Sequence, residues 1–188
     1  MAPTPSTMPP VGMPAPDFSL PDVTSGRELS LREIASDKAT VVMFICNHCP
    51  YVKHVQSELV RLAKDYRPRG VAFVAISSND ARSYPEDAPD KMKIEAQRLG
   101  YPFPYLYDES QAVARAYAAA CTPDFFVFDG ALKLVYRGRF DDSTPGNGKP
   151  VTGRDLRATL DALLASRPIA GEQQPSMGCS IKWVKPRA

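Results

Sequence analysis

The sequence predicts an α/β domain with a central mixed sheet flanked by helices, and three observations carry that expectation. Two continuous apolar runs, Val41-Val42-Met43-Phe44-Ile45 and Val71-Ala72-Phe73-Val74-Ala75-Ile76-Ser77, have the composition of buried strands. Between them Val52, Val55, Leu59 and Leu62 recur three or four residues apart, the spacing of one helix face. Strand, helix and strand together form a right-handed βαβ unit with a parallel sheet. Third, Phe125-Phe126-Val127-Phe128 and Leu132-Lys133-Leu134-Val135-Tyr136 flank Asp129-Gly130, a hairpin signal that adds antiparallel strands.

In chain order, residues 1–14 are rich in Pro, Thr and Ser and are expected to be disordered or extended. The domain proper spans 15–166, followed by an irregular tail, 167–188, that packs back on it. Asp17-Phe18-Ser19-Leu20 and Glu28-Leu29-Ser30-Leu31 alternate polar and apolar residues around Ser25-Gly26, which predicts an N-terminal hairpin at one edge of the sheet. Ser30 is placed to cap a short helix reaching Ala35. Gly70 breaks the chain after the first long helix. The loop from Ser77 to Pro85 leaves the carboxyl end of a strand, the edge where open α/β sheets hold ligands. A helix over 89–99 turns Met92, Ala96 and Leu99 inward. The aromatic stretch 101–107 is expected to be a short strand or extended piece that serves core packing. A helix from about Ser110 to Ala119 comes next, and Leu156, Leu160 and Leu163 mark the last one.

Composition bounds the function. The chain has 188 residues and a net charge of +2 with both signs interspersed, which argues against nucleic acid or an anionic membrane surface as partner. No apolar run approaches the roughly 18 residues that span a bilayer. The first ten residues have neither a basic region nor an apolar core, so no signal peptide is expected and the expected location is cytoplasmic. Four cysteines in a reducing compartment suit redox or metal chemistry better than structural disulfides.

The chemistry centres on Cys46-Asn47-His48-Cys49, set where a core strand ends and a helix begins. That spacing lets two sulfurs close a small disulfide ring. The orphan N–H groups at the helix start favour a thiolate, the reactive species, and Cys46 is expected to benefit. A zinc site of the usual kind needs two further ligands at short spacing. There is no second CxxC, and the one other His is His54, expected to be a surface helix residue. No metal and no cofactor beyond a Cys46–Cys49 disulfide is expected.

The hairpin, the β-CxxC-helix-β unit, then Thr122-Pro123 before a closing hairpin and helix resemble the thioredoxin fold over residues 15–166. Ala15-Pro16-Asp17-Phe18, Cys121-Thr122-Pro123-Asp124-Phe125 and Gly178-Cys179-Ser180-Ile181-Lys182-Trp183 are similar to a peroxiredoxin-like subgroup, related to alkyl hydroperoxide reductase and thiol-specific antioxidant proteins, that carries a thioredoxin-type CxxC. The resemblance implies a cis Thr122-Pro123 bond against the cysteines, with the Thr122 backbone offered to a docked peptide by strand addition. It also shows departures. If Cys49 were the peroxide-reducing Cys, the preceding proline and hydroxyl of peroxiredoxins would fall at Val42 and Cys46. The peroxide-polarising Arg would fall at Pro123. The buried acid of thioredoxin falls at Thr40, leaving His48, Asn79, Asp80 or water to move protons. His48 before the second Cys is similar to the oxidising branch of the fold, where a cation or donor makes the pair a stronger oxidant.

The expected function is therefore a thiol–disulfide oxidoreductase acting on a protein or low-molecular-weight disulfide and reset by a thiol electron donor. Cys46 attacks, Cys49 resolves, and His48, Thr122 and Pro123 tune or dock. Cys121, Cys179 and Asn79 are accessory candidates, with a Cys121–Cys179 contact favoured. The alternative is a thiol peroxidase, and a third reading is a metal-carrying module using Cys46, Cys49 and His48 or His54.

Overall fold

The computed structural model describes residues 3–185. Strand β1 is short (Thr4–Pro5), and β2 (Ser19–Pro21) pairs antiparallel with β3 (Glu28–Ser30) in the expected N-terminal hairpin. Asp22, just after β2, makes an isolated bridge to Leu106, so the hairpin does sit at a sheet edge. Ser30 caps α1 (Leu31–Ile34) in a full capping box with Glu33, satisfying orphan N–H groups on both sides.

Strand β4 (Ala39–Phe44) is followed by α2 (Pro50–Tyr66), with Pro50 at the first helical position, where a missing N–H costs nothing. Gly70, at φ 91°, ends the 3₁₀ turn after α2 and feeds β5 (Val71–Ser77). Helix α3 (Pro89–Leu99) and β6 (Tyr105–Tyr107) follow. The helix expected over 110–119 is one short piece, α4 (Ala112–Ala116), because Gln111 and Ala118 both adopt positive φ and close it at either end. Then come β7 (Cys121–Thr122), β8 (Asp124–Asp129), β9 (Leu134–Gly138), α5 (Arg154–Leu164) and β10 (Met177–Ser180).

The main sheet has the order β6-β5-β4-β8-β9. Strands β4, β5 and β6 are parallel, and β8 joins β4 antiparallel, so the sheet is mixed as the two sequence signals require. Every residue of central β4 is buried. Its side chains alternate between two cores. Val41 and Met43 join Val52, Leu59, Leu62, Met92, Leu156 and Leu160 on the side of α2, α3 and α5. Val42 and Phe44 join Leu31, Val113, Tyr117, Phe126 and Phe128 on the side of α1 and α4. Each fully buried Leu, Val or Phe contributes about 1.5–3 kcal/mol of apolar transfer. The aromatic stretch packs as core, with Phe103 and Tyr105 buried beside Tyr101. Met92 and Ala96 of α3 are buried and Leu99 is intermediate.

Both ends of the chain carry strands that the sequence did not predict. Residues 3–14 are extended but not disordered: Thr4 and Pro5 pair with Gly178 and Met177, and Gly12 and Met13 bond Leu134. Pro is tolerated in β1 because an edge position needs no donor on its outer side. The tail contains β10, inserted between β1 and β7. Ile181 is buried, and Trp183 packs against the α4-side core with Arg115 stacked on its ring. Residues 1–2 and 186–188 lie outside the described part.

Candidate active site

Cys46 and Cys49 both lie at the carboxyl end of β4, where the strand hands over to α2. Both are buried, at 2% and 0% exposure. The helix begins at Pro50, so Cys49 and not Cys46 is its N-cap residue. This corrects the expectation that Cys46 gains the helix-start donors: the Val52 N–H aims at the Cys49 sulfur. Thr122, on the far side, reaches both cysteines. Its Oγ1 is 3.4 Å from Cys46 Sγ, and its carbonyl oxygen is 3.1 Å from Cys49 Sγ. The Thr122-Pro123 bond is cis, as the resemblance implied.

The two thiols ionise as one unit. A hydrogen bond from Cys46 draws Cys49 well below the ordinary thiol range; burial opposes this, while Cys179, the Thr122 hydroxyl and the Val52 N–H assist. The Thr122 carbonyl favours the protonated form and is outweighed. Cys46 moves the other way, raised first by its hydrogen bond to Cys49, then by burial and the Asp87 charge. Of the two, Cys49 is the more acidic sulfur.

His48 faces outward from this pair. Its Nδ1 lies 4.0 Å from Cys46 Sγ and 2.6 Å from Asp87 Oδ2, and its ring stacks on Tyr84 at 5.1 Å. The contact with Asp87 raises the imidazole pKa, and burial opposes. Burial raises Asp87, but its bonds from His48, Asn79 and the Asn47 amide prevail and leave it lowered. Asp87 is fully buried and accepts from Asn47 N at 2.8 Å, His48 N at 3.2 Å and Asn79 Nδ2 at 2.7 Å. Sequence reasoning missed this residue. It stands in the loop before α3, distant from the CxxC in sequence, and only the position of that loop beyond β5 hinted at it.

The other candidates divide clearly. Asn79 orients Asp87 and accepts the Lys182 N–H at 2.8 Å, tying the site to the tail. Asp80 instead binds Arg82 N and Ser83 Oγ. Thr40 accepts from Ser36 N, a structural role. His54 bonds Ser143 Oγ at 2.7 Å. Cys121 does not meet Cys179. It stands opposite Ser180, its Sγ directed at the Pro123 carbonyl at 3.7 Å, and burial pushes its pKa far up. Cys179 stands opposite Thr122 and packs against the core cluster that contains Cys49, whose acidity it increases. The favoured Cys121–Cys179 contact thus gives way to a Cys179 on the Cys49 side, because alternate residues of β10 face opposite sides. The Thr122 edge expected to receive a substrate strand is taken by β10 itself.

Among the described residues one trio, Cys46, His48 and Asp87, offers metal-ligand atoms within 4.8 Å of one another. A divalent ion there would have to break the 2.6 Å His48–Asp87 hydrogen bond. Among the described residues, no helix is long and apolar enough to cross a membrane.

A family model described as the AhpC/TSA family matches residues 11–137 of the 188. The chain belongs to this family. AhpC/TSA membership is consistent with thiol oxidoreductase or peroxidase activity. The chain is 28% identical over 120 residues to the thiol:disulfide interchange protein DsbE of Allochromatium vinosum. That alignment covers 63% of this chain and 61% of the relative, so less than two thirds of the relative's length is spanned. A crystal structure of an uncharacterized conserved protein from Geobacillus kaustophilus superimposes with a TM-score of 0.97 at 63% identity, covering 100% of this chain and 99% of that one. Peroxidoxin BcpB from Mycobacterium tuberculosis matches with a TM-score of 0.61 at 22% identity, over 84% and 97% of the two chains. That last likeness is one of fold alone, and it places this AhpC/TSA-family chain in the thioredoxin-like class.

Proposed function

We propose that this AhpC/TSA-family chain is a thiol–disulfide oxidoreductase that cycles Cys46 and Cys49 between dithiol and disulfide. The observation that carries this reading is the pair of sulfurs that Thr122 reaches together, the more acidic one at the start of α2 and the other beside a His–Asp pair. Cys49 is enclosed by Cys46, Thr122, Val52 and Cys179, so the attacking sulfur is Cys46, the one that borders His48. Cys46 passes its proton to the Cys49 thiolate and attacks a substrate disulfide. The S–S bond of the substrate breaks, one thiolate leaves, and His48 supplies its proton. Cys49 then attacks Cys46, expels the second substrate thiol and closes the Cys46–Cys49 disulfide. A thiol electron donor reverses the last bond and resets the site.

The substrate class follows from the occupied Thr122 edge. With β10 paired there, strand addition by a protein is obstructed, and a low-molecular-weight disulfide approaching past His48 fits better.

The test is to trap the intermediate. Cys49→Ser incubated with a small disulfide should accumulate a mixed disulfide on Cys46, seen by mass spectrometry, while Cys46→Ser should lose turnover. An adduct found on Cys49 in wild-type protein would reverse the assignment. A second reading, thiol peroxidase, is favoured by one observation: the low-pKa sulfur at the helix start is Cys49. In that reading the Cys49 thiolate takes the peroxide oxygen and Cys46 condenses with the sulfenate.

A further inference from the structure

We infer that Cys179 is a third redox thiol of this site, which takes over the disulfide from the Cys46–Cys49 pair by forming a Cys49–Cys179 bond. The inference rests on the oxidoreductase reading above.

The placement comes from β10. Its register sets Cys179 opposite Thr122, whose carbonyl oxygen touches the Cys49 sulfur at 3.1 Å. Cys179 packs against the core cluster that contains Cys46 and Cys49, and it and Cys49 shift each other's acidity, so Cys46 and Cys179 are the two sulfurs that act on Cys49. Residues on both sides hold the strand there. Ser6 and Ser176 exchange bonds of 2.9 Å before it. After it, Ile181 N bonds Ala120 O, Lys182 N bonds Asn79 Oδ1, and Lys182 O accepts from Asp80 N. At Gly178 the backbones come so close that an added Cβ would stand 2.0 Å from the Thr122 oxygen. Such an approach positions the next residue tightly.

The chemistry balances without any added reagent. In the oxidised site, the Cys179 S–H is lost, the Cys49–Cys179 bond forms, the Cys46–Cys49 bond breaks, and Cys46 takes the proton. The count of disulfides stays at one. Burial raises Cys179 to about 11, and the Cys49 thiolate adds to this, against the Lys182 charge. Oxidation of Cys49 removes that second cause, so Cys179 becomes more acidic when it is needed. The exchange has a use: Cys46 and Cys49 are buried, whereas Cys179 is half-exposed. It moves the disulfide outward, where a reducing thiol can attack Cys179.

The test treats reduced full-length protein with one equivalent of diamide, quenches in acid at intervals, alkylates free thiols and maps the unreduced peptides. The expected course is an early Cys46–Cys49 bond followed by a Cys49–Cys179 bond at its expense, with Cys46 becoming alkylatable again. In Cys46→Ser the Cys49–Cys179 bond should be the sole intramolecular disulfide, and Cys121→Ser should retain it. A wild-type time course that ends on Cys46–Cys49 alone, with no Cys49–Cys179 peptide, overturns the inference. Because diamide supplies the oxidation, the map does not depend on disulfide turnover. Wild-type protein that forms the bond but fails to reduce a small disulfide would refute the oxidoreductase reading and leave the third thiol standing.

Discussion

His48 Nδ1 and Asp87 Oδ2 stand 2.6 Å apart, joining the loop after β4 to the loop before α3 directly over Cys46. The contact raises the His48 pKa above 6.5. A raised folded-state value means that the stability it contributes is complete below about pH 6.5 and is lost as pH rises through the higher folded value. The same sign governs redox poise. An imidazolium near the sulfurs stabilises the thiolate and so the reduced pair. His48→Ala should lower the reduction potential by tens of millivolts, where about 30 mV equals 1.4 kcal/mol for this couple. Equilibration with glutathione redox buffers measures it, and an unchanged potential would deny the imidazole any part in holding the thiolate.

Gly178 and Thr122 meet backbone to backbone, leaving no room for a methyl group. Gly178→Ala must push β10 away from β7, at a cost of about 1–3 kcal/mol typical of overpacked positions. Cys179 should then react several-fold faster with an alkylating reagent. Urea unfolding and timed alkylation read the two effects. Wild-type stability together with wild-type alkylation would mean that β10 does not depend on this contact.

The framework was legible because its signals are local. The apolar runs of β4 and β5, the spacing of Val52, Val55, Leu59 and Leu62, and Asp129-Gly130 each specify their element without knowledge of the rest. The cysteine pair and Thr122-Pro123 were legible as a motif. Asp87 was not, because a single acid before a helix has no pattern and acts only through the fold that carries it to His48. The partner of Cys179 was misjudged for a related reason. Register decides which face of β10 a side chain takes, and a one-residue slip would have exchanged Cys179 for Ser180. The start of α2 at Pro50, which gives the helix donors to Cys49, also turned on one residue.

Asp124 follows the cis Pro123 and is buried with no hydrogen-bond partner for either carboxylate oxygen. Burial pushes its pKa up to about 8, and the Ala120 and Phe125 amides and Ser176 lie near enough to oppose this but not close enough to bond the carboxylate. For an acid with a raised folded value, the unfolded state releases its proton first, so stability falls as pH rises from about 4 to about 8 and levels off beyond. At about 1.4 kcal/mol per unit, the loss reaches several kcal/mol. Asp124→Asn should remove that slope while keeping the shape of the side chain. Chemical denaturation at pH 5 and pH 8 gives the comparison; an equal slope in both proteins would place the titration elsewhere.

Peroxide is the last discriminating substrate. Fast reduction needs the thiolate held beside a hydroxyl and an Arg that stabilise charge moving across the O–O bond, and such preorganised donors supply much of the rate. Cys49 is the more acidic sulfur and the Thr122 hydroxyl stands beside the pair, but the hydroxyl position of peroxiredoxins holds the thiol of Cys46, and no Arg is bonded to either sulfur among the described residues. The two arginines of this region have other partners: Arg137, in β9, donates to Gln173 and the Pro9 carbonyl, and Arg139, just after β9, pairs with Asp155 at 2.6 Å. Reduced protein should therefore consume hydrogen peroxide at the slow rate of an ordinary low-pKa thiol, orders of magnitude below its rate with a small disulfide. Stopped-flow oxidation measures both. A peroxide rate constant near 10⁵ M⁻¹s⁻¹, about the range of efficient enzymes, would transfer the activity to Cys49 and make this a peroxidase.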